Sequence, residues 1–162
     1  MNNQTLLLKI NATTQRLLCY AGESIVREYI ISTAKNGLGE FAGSECTPRG
    51  WHQVHAVIGL EAPIYSIWVS RVWTQEMYTP ALASAHPGRD WILTRIIQLE
   101  GLEPGRNQGG NVDSLRRYIY IHGTSDEASL GQPTSHGCIR MANKDVIELA
   151  NLVTIGTKIY IE

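Results

Sequence analysis

Tyr118-Ile119-Tyr120-Ile121-His122-Gly123-Thr124, followed after a short loop by Ser135-His136-Gly137-Cys138-Ile139-Arg140, decides how the rest of the chain is understood. A β-branched and aromatic run of this kind forms a strand. It delivers His122 at the strand end, directly before a glycine. Cys138 follows beyond a loop containing glycine and proline, and a second histidine flanks it. A thiol is a strong nucleophile only as its thiolate, and a nearby imidazole can take the proton and hold the resulting ion pair. The imidazole then needs a third group on its other nitrogen to fix tautomer and direction. Gly137 frees the backbone beside Cys138 to approach a substrate, so amides there could face a developing oxyanion. Arg140, two residues beyond Cys138, places a charged fork near the same spot if the chain is extended.

The same residues admit plainer readings. A free cysteine packs as a small apolar residue; Cys19 fits that description in its apolar run, and Cys46 gives no sign of more. His122, His136 and Cys138 could also serve as three zinc ligands. Their His-x13-His-x-Cys separation matches no usual zinc spacing and no fourth ligand is evident. No metal and no other cofactor is expected. On the residues alone, catalysis and a structural thiol both stay open.

Strand-like runs extend to either side. Leu6 to Ile10, Arg16 to Tyr20 and Ile25 to Ser32 alternate with turn material, as in a β-meander. Further candidates are Gln53 to Ile58, Ile64 to Val72, Trp91 to Leu99, Tyr118 to His122 and Lys158 to Ile161. One helix is expected over Asn143 to Val153. There Val146, Leu149, Ala150 and Val153 share a face, Asn143 can cap, and Asp145 sits in the first turn. Long glycine-bearing connections, Thr33 to Gly50 and Gly101 to Ser114, and the loop Thr124 to Gln132 complete the chain. Gly37-Leu-Gly39-Glu-Phe-Ala-Gly43 is one residue out of step with a dinucleotide fingerprint, and Pro48 and Gly50 follow where its helix should start. The chain is mostly β with one C-terminal helix, and periodicity does not choose a sandwich over a barrel.

The chain has 162 residues, the length of one domain, and 43% hydrophobic against 18% charged residues marks a folded globular chain. Net charge is −1, so there is no basic field for nucleic acid. Ten Arg against four Lys keeps small acidic ligands in view. The opening Met1-Asn-Asn-Gln-Thr-Leu-Leu-Leu-Lys9 lacks a basic first segment and its apolar run stops too early for a secretory leader. No segment has the length of a membrane helix. Three cysteines without CxxC spacing suit a reducing compartment. These features read as a cytoplasmic protein with no membrane partner. His52 and His55 read as surface or satisfied core histidines, His86 in Ala-His-Pro-Gly-Arg as part of a turn, and Trp68, Trp73 and Trp91 as core.

His122-Gly-Thr with Ser135-His-Gly-Cys-Ile-Arg140 resembles the signature of the L,D-transpeptidase catalytic-domain (YkuD-domain) family. The likeness reaches Ser32-Thr-Ala-Lys-Asn-Gly37, Thr47-Pro-Arg-Gly50, Gly101-Leu-Glu-Pro-Gly-Arg106 and the closing helix and strand, so residues 1–162 are accounted for as one such domain. The resemblance implies a β-sandwich of mixed sheets with a small helical cap. It implies a cysteine acyl transferase acting on peptidoglycan stem peptides or muropeptides. Cys138 would be the nucleophile and His122 the general base, oriented by the backbone carbonyl of Gly123. The amides of His136, Gly137 and Cys138 would form the oxyanion pocket with the His136 side chain in support. Ser135 and Arg140 would bind substrate. Arg140 stands where the best-known transpeptidases have Asn, which bears on the acceptor or carboxylate held.

The compartment reading selects among the family's reactions. A cytoplasmic enzyme would meet recovered tetrapeptides and remove their terminal D-alanine with water, as an L,D-carboxypeptidase of peptidoglycan recycling. A transpeptidase joining diaminopimelate residues is the alternative. A non-catalytic muropeptide-binding module is a second one, opposed by intact His122 and Cys138.

Overall fold

The computed structural model describes residues 4–162. The first three residues, part of the segment read above for a leader, lie outside that range. The described residues form ten strands: β1 (Leu6–Asn11), β2 (Arg16–Ala21), β3 (Ser24–Ser32), β4 (Gly50–Ile58), β5 (Ser66–Val69), β6 (Val72–Met77), β7 (Ile92–Gly101), β8 (Tyr120–Gly123), β9 (Ile139–Met141) and β10 (Lys158–Ile161). Helix α1 (Pro80–Ala85) lies between β6 and β7, and α2 (Asn143–Leu152) between β9 and β10. Among the described residues no helix is long and apolar enough to cross a membrane.

The strands hydrogen-bond in the order β4-β10-β1-β2-β3-β9-β8-β7-β5-β6, and β4 also pairs with β7. The sheet therefore turns back on itself, and its inward faces enclose one core. β1 with β10 and β8 with β9 are parallel, the remaining pairs antiparallel. This is the mixed β architecture expected. Leu8, Ile10, Leu17, Ile31, Ile97, Leu99, Ile121, Ile139 and Met141 are fully buried in that core, each worth roughly 1.5–3 kcal/mol of burial. Val146, Leu149 and Ala150 of α2 close it, with Val153 just beyond the helix end, the face read from their spacing.

Four local readings are corrected. The run Ile64 to Val72 is not one strand: Ser70 and Arg71, at φ 48° and 65°, turn the chain between β5 and β6. A turn with both residues at positive φ normally announces itself as Asn-Gly, and Ser-Arg carries no such signal. Tyr118 stands outside β8 at φ 56°. β9 arises inside the Cys138 motif, where no alternation marked it. Asn143 does not cap α2, because Ala142 holds that position; the Glu127 carboxylate accepts the Asn143 N–H instead, at 2.8 Å. The short α1 is a helix beyond the one expected: Thr79 caps it by accepting the Leu82 N–H and Pro80 takes the first turn.

Candidate active site

The parallel pairing of β8 and β9 brings the motif together. Ile121 faces Ile139, His122 faces Arg140 and Gly123 faces Met141. Strand side chains alternate between faces, so Ile121, Ile139 and Met141 point into the core, where all three are fully buried. Tyr120, His122, Cys138 and Arg140 share the other face, and all four line one cleft. Sixteen positions of sequence separation between His122 and Cys138 thus collapse into one cleft, with His122 on β8 and Cys138 just before β9.

The turn that presents Cys138 is held by hydroxyl groups. Ser135 Oγ donates to Cys138 O at 2.5 Å and accepts the Gly137 N–H at 3.2 Å. Thr47 Oγ1, from the glycine-rich connection, donates to Gly137 O and accepts the Ala34 N–H, both at 2.9 Å. Backbone bonds from Lys35 N to Ser135 O and from Ser135 N to Thr33 O dock the same connection on the turn. Gly137 has φ +135°, and a Cβ there would lie 3.3 Å from Cys46 O. The glycine is needed for its backbone conformation.

His122 is 3% exposed. Its Nδ1 lies 2.6 Å from Gly123 O, which fixes the proton on Nδ1 and leaves Nε2 as the basic nitrogen. Nε2 has no hydrogen-bond partner among the described residues and is not among the sealed-off polar atoms, so it opens onto the cleft. Burial lowers the pKa of His122; the Gly123 bond and the Asp90 carboxylate act in the opposite sense.

Cys138 Sγ accepts the Tyr120 N–H at 3.3 Å, and its own hydrogen is directed at Tyr118 O, 3.4 Å away. Neither contact is with His122. Burial pushes the thiol up to about 11, with the Tyr120 N–H pulling down. Both shifts favour thiol with neutral imidazole over the ion pair. Among the amides expected to face an oxyanion, those of His136 and Cys138 have no backbone or side-chain partner among the described residues, whereas that of Gly137 is engaged by Ser135.

Two clefts meet at Cys138. The first, about 350 Å³, is lined by His122, Arg140, Asp90, Arg71, Tyr118 and Tyr120 among others. The second, about 250 Å³, runs past Glu45, Asp113, Arg116 and Arg117 on the other side. His136 is exposed and borders both. Arg140 donates to Thr134 O at 3.3 Å and stands 3.9 Å from Asp90, with its side chain 17% exposed to the cleft. Ser135 reaches the first cleft too, but its one hydroxyl hydrogen is committed to Cys138 O, which makes it a support of the turn.

Sequence reasoning missed Arg71, Asp90, Tyr118 and Tyr120 as parts of this site. Arg71 sits at the tip of the β5–β6 hairpin, donates to Tyr120 Oη at 3.0 Å and lies over the Tyr118 ring. It is 47 positions from Tyr118, and no local pattern marks such a partner. Elsewhere His52 is a satisfied core histidine, with Nδ1 3.0 Å from Gly50 O and Nε2 2.8 Å from Ser114 Oγ. Trp68 is buried and Trp73 half-buried beside it, as expected of core. Among the described residues no three His, Cys, Asp or Glu side chains converge as on a metal.

The family model of the L,D-transpeptidase catalytic domain, YkuD, matches residues 6–161. The Bacillus subtilis (strain 168) protein YkuD is 42% identical over 98 residues, 60% of this chain and 51% of that protein. The probable L,D-transpeptidase ErfK/SrfK of Salmonella typhimurium is 30% identical over 159 residues, 94% of this chain and 42% of that protein. The chain thus spans about half the length of these relatives, or less. In fold it is similar to the L,D-transpeptidase from Mycobacterium smegmatis, with TM-score 0.58 and 17% identity over 98% of this chain and 58% of that one. It is likewise similar to LdtMt1 in complex with imipenem, with TM-score 0.59 and 15% identity over 98% and 59%.

Proposed function

The chain belongs to the L,D-transpeptidase catalytic-domain family, and on that premise we propose that it removes the terminal D-alanine from peptidoglycan stem tetrapeptides, as a cysteine L,D-carboxypeptidase. One observation carries the reading: the Cys138 thiol sits where two clefts meet, with His122 and Arg140 lining the first. The acyl part of a stem peptide and its leaving D-alanine need two such spaces, one on each side of the attacked carbonyl.

His122 Nε2 takes the Cys138 proton as sulfur attacks the carbonyl carbon of the third residue. The His136 and Cys138 amides receive the oxyanion. Collapse breaks the amide bond, and the His122 proton goes to the nitrogen of D-alanine. Water, deprotonated by the same nitrogen, then attacks the thioester, releasing a tripeptide carboxylate and restoring the thiol. Arg140 and Arg71 face a single carboxylate, Asp90, in the first cleft. That excess positive charge suits the carboxylate of D-alanine and repels an ammonium acceptor, a cost water does not meet. Three free thiols, Cys19, Cys46 and Cys138, suit a reducing cytoplasm, where tetrapeptides recovered from the wall would be trimmed. A second reading, cross-linking of diaminopimelate residues, is favoured by Glu45 and Asp113 in the second cleft, which offer carboxylates to an amine.

Mass spectrometry of products from a D-alanine-terminated tetrapeptide decides between them. Tripeptide and free D-alanine from the wild type, and neither from Cys138→Ala, is the expected result. Cross-linked dimers would establish the second reading, and equal turnover by Cys138→Ala would sink both. Imipenem, held by the solved LdtMt1, is expected to add its mass at Cys138.

A further inference from the structure

Against Gly123 and Thr124, the two residues that follow His122, lies a buried polar cluster that the reaction above does not use. Its centre is Asn143, 2% exposed at the start of α2. Each side-chain hydrogen-bonding atom is engaged. Oδ1 accepts the Thr94 hydroxyl hydrogen at 2.6 Å, and Nδ2 donates to Thr124 O and to Glu127 Oε1, both at 2.8 Å. Turning the amide over would set Oδ1 against the Glu127 carboxylate, so only one orientation is satisfied.

This carboxamide lies against Gly123. A Cβ on Gly123 would fall 2.3 Å from Asn143 Oδ1 and 2.7 Å from Leu93 O, so any other residue there would displace it. The Gly123–Thr124 peptide, whose carbonyl accepts the His122 Nδ1–H, is thereby held on both flanks. On one flank Gly123 Cα approaches the carboxamide, and on the other the carbonyl of the following peptide, Thr124 O, accepts from it. Thr94 supplies a second, independent mark. It is fully buried with φ +73°, a conformation that costs a β-branched residue about 1–3 kcal/mol. In that strained position its Oγ1 meets both Asn143 and the Tyr65 N–H, the latter at 3.0 Å.

We infer that Asn143, braced by Thr94, is a positioning residue that holds the Gly123 carbonyl where it fixes the His122 tautomer and aims Nε2 into the cleft. The inference rests on the base role proposed for His122. Asn143 touches no reacting atom; it acts through the peptide it grips.

The test uses the intact protein with 15N-labelled histidine and two variants. Asn143→Ala removes the grip, and Asn143→Asp keeps the shape and the Thr94 acceptor but replaces the donor to Thr124 O. In the wild type the His122 ring should give one Nδ1–H form. In both variants the Nε2–H form should become populated, and kcat on the tetrapeptide should fall about tenfold to hundredfold with KM nearly unchanged. If Asn143→Asp, which sets a second carboxylate oxygen against Glu127, does not fold, Asn143→Ala decides alone. A folded variant that keeps the wild-type tautomer, whatever its kcat, overturns the inference, and so does an altered tautomer with undiminished kcat. Should the wild type leave the tetrapeptide intact, the functional reading fails, while the tautomer measurement, which needs no substrate, still decides the positioning role.

Discussion

Cys138 Sγ lies 3.4 Å from the carbonyl oxygen of Tyr118, and the thiol hydrogen is directed at that oxygen. The thiol is therefore parked on backbone before substrate arrives. Burial raises its pKa to about 11 and lowers that of His122, and both shifts disfavour a resting ion pair. Alkylation of Cys138 by iodoacetamide, read peptide by peptide, should keep rising with pH beyond the ordinary thiol value of about 8.5. A plateau reached near neutrality would mean that a thiolate–imidazolium pair exists in the free enzyme.

Gly137→Ala places a side chain at φ +135° and 3.3 Å from Cys46 O. Backbone strain of this kind costs about 1–3 kcal/mol. Urea denaturation should register that loss, and acyl transfer should fall because the Cys138 amide rides on the same turn. A variant as stable and active as the wild type would show that the turn tolerates another conformation.

Ser135→Ala removes the hydroxyl that links Gly137 N–H to Cys138 O. Leaving a buried group unpaired costs about 1–3 kcal/mol. The expected kinetic result is a lower kcat with KM little changed, since the hydroxyl holds the turn. A rise in KM at constant kcat would instead return Ser135 to a substrate-binding role.

His52 is one group through which the stability should depend on pH. Burial lowers its pKa from 6.5 to about 4. The folded state then binds fewer protons than the unfolded chain between those values, so the stabilisation is present above pH 6.5 and is lost as the pH falls to about 4. The difference corresponds to about 3 kcal/mol. Burial of neutral His122 acts in the same direction. Denaturation midpoints across that range should fall steeply for the wild type and more gently for His52→Asn. Parallel slopes would exclude His52 as the cause.

Much of this was legible in the residues because local patterns carried it. Most long strands follow aliphatic and β-branched runs, and the spacing of Val146, Leu149, Ala150 and Val153 marks the buried face of α2. His122 and Cys138 stand out because glycines adjoin them. What escaped depends on partners distant in sequence. The Ser70-Arg71 turn lacks the glycine that usually permits positive φ. β9 is three residues long and gains its strand character from β8. Asn143 has the residue type of a helix cap, yet its carboxamide is drawn toward Thr94 and Thr124 in the space Gly123 leaves open. Arg71 joins the cleft only because a hairpin carries it over Tyr118 and Tyr120.

The central claim is a thioester at Cys138, and intact-protein mass spectrometry after rapid acid quench tests it most directly. Mixed with tetrapeptide, the wild type should gain the mass of the acyl tripeptide on the fragment that contains Cys138, and the adduct should decay as free tripeptide accumulates. Release of D-alanine with Cys138 unmodified at every quench time, and at an undiminished rate in Cys138→Ala, would contradict it.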